Sequence, residues 1–417
     1  MANAFLNAKE YANVMLMLLK NQLVMGRLVD GKYKDKVTDQ NGLQIYTKRP
    51  PRFVAKSGAT LQAQDIVTGS TSLSVDRYRN VHISVGDLES VQSWNQLMRS
   101  ETMKSAASTL AHDVDLYLHS KLQDIPSFVG TVGQTVKTPA QFNKAHTRLM
   151  DQSVPNMDLS AVCTFEDGEL IRGSLLAGNI DGVNKDALQK VKIPVLSEVD
   201  LYATQHVRTL TPGTRVNTAT ITVDGANQDV DYVDVKDLDY SSIDIEDGAA
   251  GATIEKGEIF TLADVYAVNS RSGDTLSYLR QFTVMEDLTL DGTGAGTMKF
   301  FPHIIVADAG VSANTPFATC SAVPADGAAV EFQDVASTSD LVRAAFHKQC
   351  IQLVSARLET PMSDTSSFAQ DPDTGISIRY WRGSDISTGA HIHRWDMIYG
   401  AKCVDPMLGV RFAGASS

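Results

Sequence analysis

With 417 residues, 43% of them hydrophobic and 21% charged, the chain is long enough for about two to three globular domains and is not of low complexity. Its longest apolar run near the N-terminus, residues 14–19, is flanked by Lys9, Glu10 and Lys20 and lacks a small-residue cleavage site, which excludes a signal peptide and a membrane-spanning helix. The net charge of −12 is uneven: residues 216–340 hold twenty-one Asp and Glu against five Lys and Arg, whereas residues 1–60 hold ten Lys and Arg against four Asp and Glu. Such a split predicts separate modules whose fields can attract one another in trans. The four cysteines, Cys163, Cys320, Cys350 and Cys403, have neither metal nor disulfide spacing and fit free thiols in a reducing cytoplasm.

Residues 1–41 form an N-terminal arm, helical over 3–25, where Phe5, Leu6, Tyr11, Val14, Met15, Leu18, Leu19 and Leu23 give more apolar surface than one buried face requires. Residues 42–85 switch to period two, in strands broken by Pro50-Pro51 and by Ser-Gly and Gly-Ser turns. Two prolines cannot sit in a central strand, so this is an edge or projecting hairpin, and its tip is basic: Lys48, Arg49, Arg52 and Lys56. No aromatic interleaving accompanies those charges, which favours a protein contact over a single-stranded nucleic-acid groove.

The stretch 86–126 has no proline before Pro126 and no glycine after Gly86. Leu88, Val91, Trp94, Met98, Ala106, Leu110, Val114, Tyr117 and Leu122 recur mostly at three- and four-residue steps, the stripe of one long helix. Asp87 precedes the first apolar turn as a cap, Lys121 lies in the last turn, and Pro126 stops the helix. At ~1.5 Å per residue such a rod spans roughly 50–55 Å. Residues 127–200 are mixed: a helix opening at Thr138-Pro139, a buried strand LSAVCTFED, and a second short helix near 168–176.

Between about 201 and 338 the helix signal fades. TATITVDG, QDVDYVDVKDLDY, KGEIFTLADVYAVN, LRQFTVMEDLTL, TMKFFPHIIV and AVEFQDV read as six short strands of a small closed or near-closed barrel. Residues 339–417 return to mixed character, with a short helix SDLVRAAFH and strands KQCIQLVSARL, GISIRYWRG, AHIHRWDMIYGAKCV and LGVRF. The first domain is therefore interrupted by the barrel and completed after it.

Sites for chemistry are sparse. His391 and His393 share one strand face and are candidates for a metal with Asp396 or Cys403, but no third ligand has suitable spacing, so no metal is expected. His347 and Cys350 lie at i, i+3 without an orienting partner. The run from Gly292 to Gly296 lacks the Gly-Lys-Ser/Thr ending of a phosphate loop and reads as a turn. The acidic run from Asp229 to Asp247 lacks the glycine and glutamate of a calcium loop, and its Asp residues alternate with Val and Tyr as one exposed strand face does. No catalytic constellation, cofactor site or metal site emerges, which points to a structural role.

The order of the elements carries a resemblance. VGDLESVQSWNQLMRSETMKSAASTLAHDVDLYL as a spine helix, KVKIPVLSEVD leading into the barrel, KGEIFTLADVYAVN with LRQFTV inside it, VRAAFHKQCIQLVSARL returning from it and YGAKCVDPMLGVRF closing the chain together resemble the major capsid protein of tailed bacteriophages, the HK-ninety-seven fold. Within that group the sequence is similar to the P-twenty-two-type coat proteins with a β-barrel insertion domain. The resemblance covers nearly the whole chain, though no single segment is a diagnostic motif. It implies an α+β fold with arm (1–41), projecting β-hairpin loop and peripheral strands (42–85), spine helix (86–126), first axial part (127–200), inserted barrel (201–338), and axial and peripheral completion (339–417). It further implies a non-enzymatic subunit that forms hexamers and pentamers of an icosahedral shell, with a scaffolding protein, a portal protein and packaged double-stranded DNA as partners. A decoration protein is an optional further partner, and no membrane is involved. The expected place is the virion capsid, assembled in the host cytoplasm. No long cleaved scaffold segment is expected, since no candidate for one is seen ahead of the arm. Arg49, Arg52 and Lys56, with Asp229, Asp231, Asp234 and Asp237, are the expected assembly contacts. The alternatives are a nanocompartment shell protein of the same fold, another phage structural protein, or a metal-dependent hydrolase using His391, His393 and Asp396.

Overall fold

Helical periodicity in residues 101–120 produces the longest helix among the described residues. The computed structural model describes residues 8–32, 43–55, 58, 64–85, 101–177, 198–215, 221–226, 228, 231–307, 313–360, 366–385, 387 and 390–415. The chain divides into two units, Met1–Tyr46 with Ser72–Ser120 and Ile351–Lys402, and Thr47–Thr71 with Lys121–Cys350 and Cys403–Ser417.

In the first unit, helix Glu101–Ser120 buries Met103, Ala107, Leu110, Ala111, Val114 and Leu118, each at most 2% exposed. The predicted first half of this helix, residues 86–100, lies outside the described residues. The α-helix ends at Ser120, before the predicted last turn at Lys121, and a 3-10 turn, Lys121–Asp124, follows ahead of Pro126. Helix Ala8–Gln22 packs along it and buries Tyr11, Ala12, Met15 and Leu19 on one face. Residues 3–7 of the predicted arm helix lie outside the described residues.

Asp115 ties these two segments together. Its fully buried carboxylate accepts from Val24 N at 2.8 Å and from Gly26 N at 3.2 Å, at the start of the short helix Met25–Leu28. Val24 itself supplies no side-chain cap, so the distant carboxylate satisfies donors that the local sequence leaves open.

The sheet of this unit centres on strand Ala390–Cys403. Arg77–Val85 pairs with it antiparallel, from Arg77 opposite Tyr399 to Val85 opposite His391. Ser377–Asp385 pairs along residues 390–396, Ser366–Gln370 follows beyond it, and Ile351–Ala356 also joins the strand. Tyr399 donates its hydroxyl to Asp113 of the long helix, and Arg79 Nε donates to the same carboxylate at 2.9 Å. At Gly400 a Cβ would stand 2.0 Å from Ser74 O, so only glycine lets the two backbones approach.

Burial lifts the Asp115 carboxyl from its ordinary 3.8 to about 6, against the lowering effect of the Val24, Gly26 and Met25 N–H groups. The native state therefore binds more protons than the unfolded chain between these values. Stability from this group is fully present below about pH 4, falls as pH rises through about 6, and is constant above that. In urea unfolding, the wild-type protein minus Asp115→Asn difference is expected to shift by roughly 2–3 kcal/mol between pH 4 and pH 7. A difference independent of pH over this interval would refute the buried-carboxyl reading.

The second unit contains a five-strand sheet, ordered Phe128–Val129, Gly409–Phe412, Ala344–His347, Leu159–Cys163, Asp200–Ala203. Helices Pro139–Asp151 and Phe165–Ala177 supply Phe142, Ala145, Leu149 and Ile171 to its core with Ala161, Ala345, Val410 and Phe412. The first helix starts as its sequence predicts, with Thr138 Oγ1 accepting from Gln141 N at 3.4 Å and Pro139 behind the cap. Before the second, Thr164 and Asp167 cap reciprocally: each side chain accepts from the other's backbone N–H at 3.2 Å.

SDLVRAAFH, predicted as a helix, is strand instead: Asp340–Leu341 and then Ala344–His347, antiparallel to both Gly409–Phe412 and Leu159–Cys163. All four residues of Ala344–His347 are buried, and covering on both faces overrides the helical preference of its alanines. Arg343, just before this strand, places Nε 2.6 Å from Asp167 Oδ2; both side chains are at most 2% exposed.

Six strands among the described residues form the barrel, in the order Val330–Phe332, Ile259–Val268, Thr275–Val284, Gly296–Phe301, Ser241–Glu246, Thr222–Val223. The ring closes where Val223 N donates to Ala328 O at 3.0 Å, Gly327 N to Val223 O at 2.9 Å and Val330 N to Ile221 O at 2.9 Å. Phe260, Phe282 and Phe300 meet at its centre with ring centroids 5.3–5.9 Å apart, surrounded by Ile243, Ile245, Leu262, Met298 and Val284. Beneath the ring, Glu258 pairs with the Arg215 guanidinium and accepts from Gly213 N and Glu255 N, both at 2.7 Å.

QDVDYVDVKDLDY also departs from prediction. Tyr232–Val235 is a helical turn, and the barrel strand starts only at Ser241. Tyr232 and Val235, three apart, face a small cluster with Ile305 and Phe317, and the Tyr232 ring stacks on Phe317 at 3.5 Å. This i, i+3 burial replaces the alternation read from the Asp and Val residues. Strand Asp200–Ala203, at the expected barrel start, pairs in parallel with Leu159–Cys163.

Removing one member of a buried ion pair leaves the other uncompensated. Arg343→Met is therefore expected to lower stability by about 3–5 kcal/mol in urea unfolding, with part recovered by Asp167→Asn in the same chain. Loss below about 1 kcal/mol would show that the pair does not anchor this strand.

Candidate functional site

The basic hairpin segment and the acidic segment before Ser241 meet within the second unit. Arg49 Nη2 lies 3.2 Å from Asp239 Oδ1, and its Nη1 donates to Lys236 O at 3.3 Å. Thr71 Oγ1 donates to the same Asp239 oxygen at 2.7 Å. Ser70 gives Asp237 two hydrogen bonds, from N and from Oγ, each 2.8 Å. Backbone approach is close enough that a Cβ on Gly69 would stand 2.0 Å from Lys236 O. The Lys236 ammonium, and then the Ser70 hydroxyl, hold the Asp237 carboxyl down to about 2.

The remaining expected contacts differ in placement. Arg52 is half-buried, its guanidinium 5.7 Å from the Phe317 ring centroid. Asp231 accepts from Asn314 Nδ2 at 2.8 Å, while Asn314 Oδ1 takes Tyr232 N at 2.9 Å. Asp234 is exposed on the helical turn. Lys56 and Asp229 lie outside the described residues. The structure thus brings Arg49 and Asp237 onto one seam and adds Ser70, Thr71 and Asp239, which the sequence did not single out. Only the density of acids in residues 229–247 hinted at Asp239; nothing local marks Ser70 or Thr71. The same segments expose Phe53, Ile66, Val233 and Leu238.

The residues considered for chemistry are occupied with packing. In the first unit His393 is fully buried, with Nδ1 2.5 Å from the Tyr380 hydroxyl, and burial brings its pKa down to about 4, so the ring is neutral. His391 is half-buried, two residues along the same strand. Asp396 falls on the opposite strand face from His393, where Arg379 at 2.6 Å and Arg394 at 2.5 Å neutralise it. In the second unit the backbone N–H of Gln349 donates to His347 Nδ1 at 3.2 Å, and Cys350 Sγ lies 3.5 Å from Cys403 Sγ. The glycine run 292–296 is a turn held by Asp291, whose Oδ1 accepts from Thr293 N at 2.7 Å and Ala295 N at 3.0 Å. Among the described residues, no three His, Cys, Asp or Glu side chains converge as metal ligands, and no helix is long and apolar enough to cross a membrane.

No curated protein matches the chain in sequence. Among solved structures the chain is similar to one from Mycobacterium phage Che8, at 14% identity and a TM-score of 0.48, over 94% of this chain and 91% of that one. It is also similar to the capsid of cyanophage P-SCSP1u, at 10% identity and a TM-score of 0.45, over 100% and 91% of the two chains. The I-domain of the CUS-3 coat protein matches at 28% identity and a TM-score of 0.21, over 28% of this chain and 97% of that one. The sequence model described as "P22 coat protein - gene protein 5" matches residues 1–414. Matched over almost its full length, the chain belongs to the P22 coat protein family and is a structural subunit of an icosahedral phage capsid, not an enzyme.

Proposed function

We propose that copies of this subunit form hexamers and pentamers on a scaffolding protein, leave one vertex to a portal protein, and enclose double-stranded DNA through nonspecific contact. Assembly takes place in the host cytoplasm, and a decoration protein is an optional later partner. The observation that carries this reading is the family match over residues 1–414. Self-association in the virion capsid follows from the family itself; the scaffold, portal and DNA are the finer part of the proposal. Co-expression with scaffolding protein is expected to give closed shells by negative-stain microscopy. Open tubes or discrete trimers would overturn it.

The assembly surface in this reading comprises Arg49, Arg52 and Lys56 together with Asp229, Asp231, Asp234 and Asp237. Support comes from the seam that Arg49, Ser70 and Thr71 make with Asp237 and Asp239, which fixes the base of the hairpin segment. Exposed Phe53, Ile66, Val233 and Leu238 beside these charges favour a protein partner. The acidic residues would repel phosphate. Arg49→Glu is expected to change the subunit's unfolding free energy by no more than ~1 kcal/mol, because the pair is partly exposed. Shell yield, measured by sedimentation, is expected to fall, most at low salt. Unchanged yield at every ionic strength would remove this seam from the assembly contacts.

We also infer that the barrel is an inserted module that folds by itself. The expected bounds, 201–338, are moved to 204–341, which leaves strand Asp200–Ala203 with its own sheet and keeps the Thr209–Leu210 pairing with Asp340–Leu341, as well as the closed ring and its phenylalanine core. That length buries an adequate core. The excised segment is expected to be soluble, β-rich by circular dichroism and cooperative in unfolding. A disordered segment would refute the module.

A further inference from the structure

Four cysteines occur in the chain, all buried, and two of them touch. Cys350 and Cys403 are 0% and 6% exposed, with their sulfurs 3.5 Å apart. A disulfide needs about 2.05 Å between sulfurs, a change within reach of side-chain rotation if the two backbones are already side by side. They are: Val404 N donates to Cys350 O at 2.9 Å and Asp405 N to the same oxygen at 3.4 Å. The opposite side is also close-packed, since a Cβ on Gly409 would stand 3.4 Å from Cys350 Sγ.

We propose that Cys350 and Cys403 are an oxidative modification site, joined as a disulfide by a small peroxide and left as free thiols under reducing conditions. One thiolate attacks hydrogen peroxide, breaking its O–O bond to give a sulfenic acid and hydroxide. The second sulfur then attacks the sulfenic sulfur, the S–S bond forms, and the hydroxyl leaves as water. Two thiols and one peroxide thus yield one disulfide and two waters, with the peroxide oxygens reduced. The oxidant must be small because neither sulfur faces solvent. Burial, and then the adjacent Cys350 thiol, raise the Cys403 thiol well above its ordinary value. Thiolate is therefore scarce at neutral pH, and the reaction is slow there and faster at alkaline pH. The bond would close a loop between residues 53 apart and restrain the unfolded chain.

The test treats the full-length protein with millimolar hydrogen peroxide, unfolds it in an alkylating agent, digests it with trypsin and maps the cysteines by mass spectrometry. The expected product joins peptides 349–357 and 403–411, two hydrogens lighter than their sum, and disappears on reduction with dithiothreitol. It is expected to form faster at pH 9 than at pH 7, and the oxidised protein to melt several degrees higher than the reduced one. Cys163 and Cys320 are expected to remain fully alkylatable. Cys350→Ser and, separately, Cys403→Ala are expected to abolish the product; the wild-type peptide map stands without them if either fails to fold. Full alkylation of Cys350 and Cys403 after peroxide, or their conversion to sulfinic acid without a crosslink, would overturn the proposal. So would crosslinks involving Cys163 or Cys320 in equal amount, since they would mark unfolding and not this geometry.

Discussion

One buried carboxylate fixes the place where the chain returns from the barrel to its sheet. Asp167 accepts from Val136 N at 3.0 Å, from Thr164 N and Oγ1, and from Arg343 Nε at 2.6 Å. It therefore joins the approach to one helix, the cap of a second, and the residue that precedes strand Ala344–His347. Its charge is tolerable at zero exposure only because so many donors converge on it. An apolar cluster of equal volume can be as stable, yet it would not specify which strand lies beside which. Here the strand that must be placed follows more than a hundred residues of inserted barrel, so specification matters more than added stability.

Charge does a different job on the surface of the same unit. The excess of acid in residues 216–340 suggested attraction between subunits, and the structure shows that one such attraction is satisfied inside the chain, between Arg49 and Asp239. Each exposed pair is worth at most about 1 kcal/mol and is screened by salt. In a shell, the same small term is repeated by symmetry at every equivalent position.

Local pattern made the helices and the barrel legible. The apolar stripe through Leu110 and Val114, the Thr138-Pro139 start and the short strand runs at 259–268 and 275–284 each depend on neighbours a few positions away. What failed depended on distant partners. Residues 232–235 alternate like a strand, but Phe317 offers Tyr232 a stacking surface that a helical turn reaches. Ala344–His347 has helical composition, but strands on both edges hydrogen-bond its backbone and all four of its residues are buried. The assembly candidates were half-legible for the same reason: the charges are visible in the sequence, whereas the pairing of Arg49 with Asp239 joins residues 190 apart. The contact between Cys350 and Cys403 follows no sequence spacing at all.

The closure of the barrel through Val223, Ala328 and Val330 has a consequence for life in a crowded shell. An open sheet of these strands would present rows of unpaired backbone N–H and C=O groups, and any copy of the chain could dock there by adding a strand. Such docking is indifferent to side-chain identity and hard to reverse, which is how fibres grow. The ring turns its backbone hydrogen bonds inward and leaves no such template between its first and last strands. Recognition between copies through this module must then run through side chains and loops, where a single substitution can tune or abolish it.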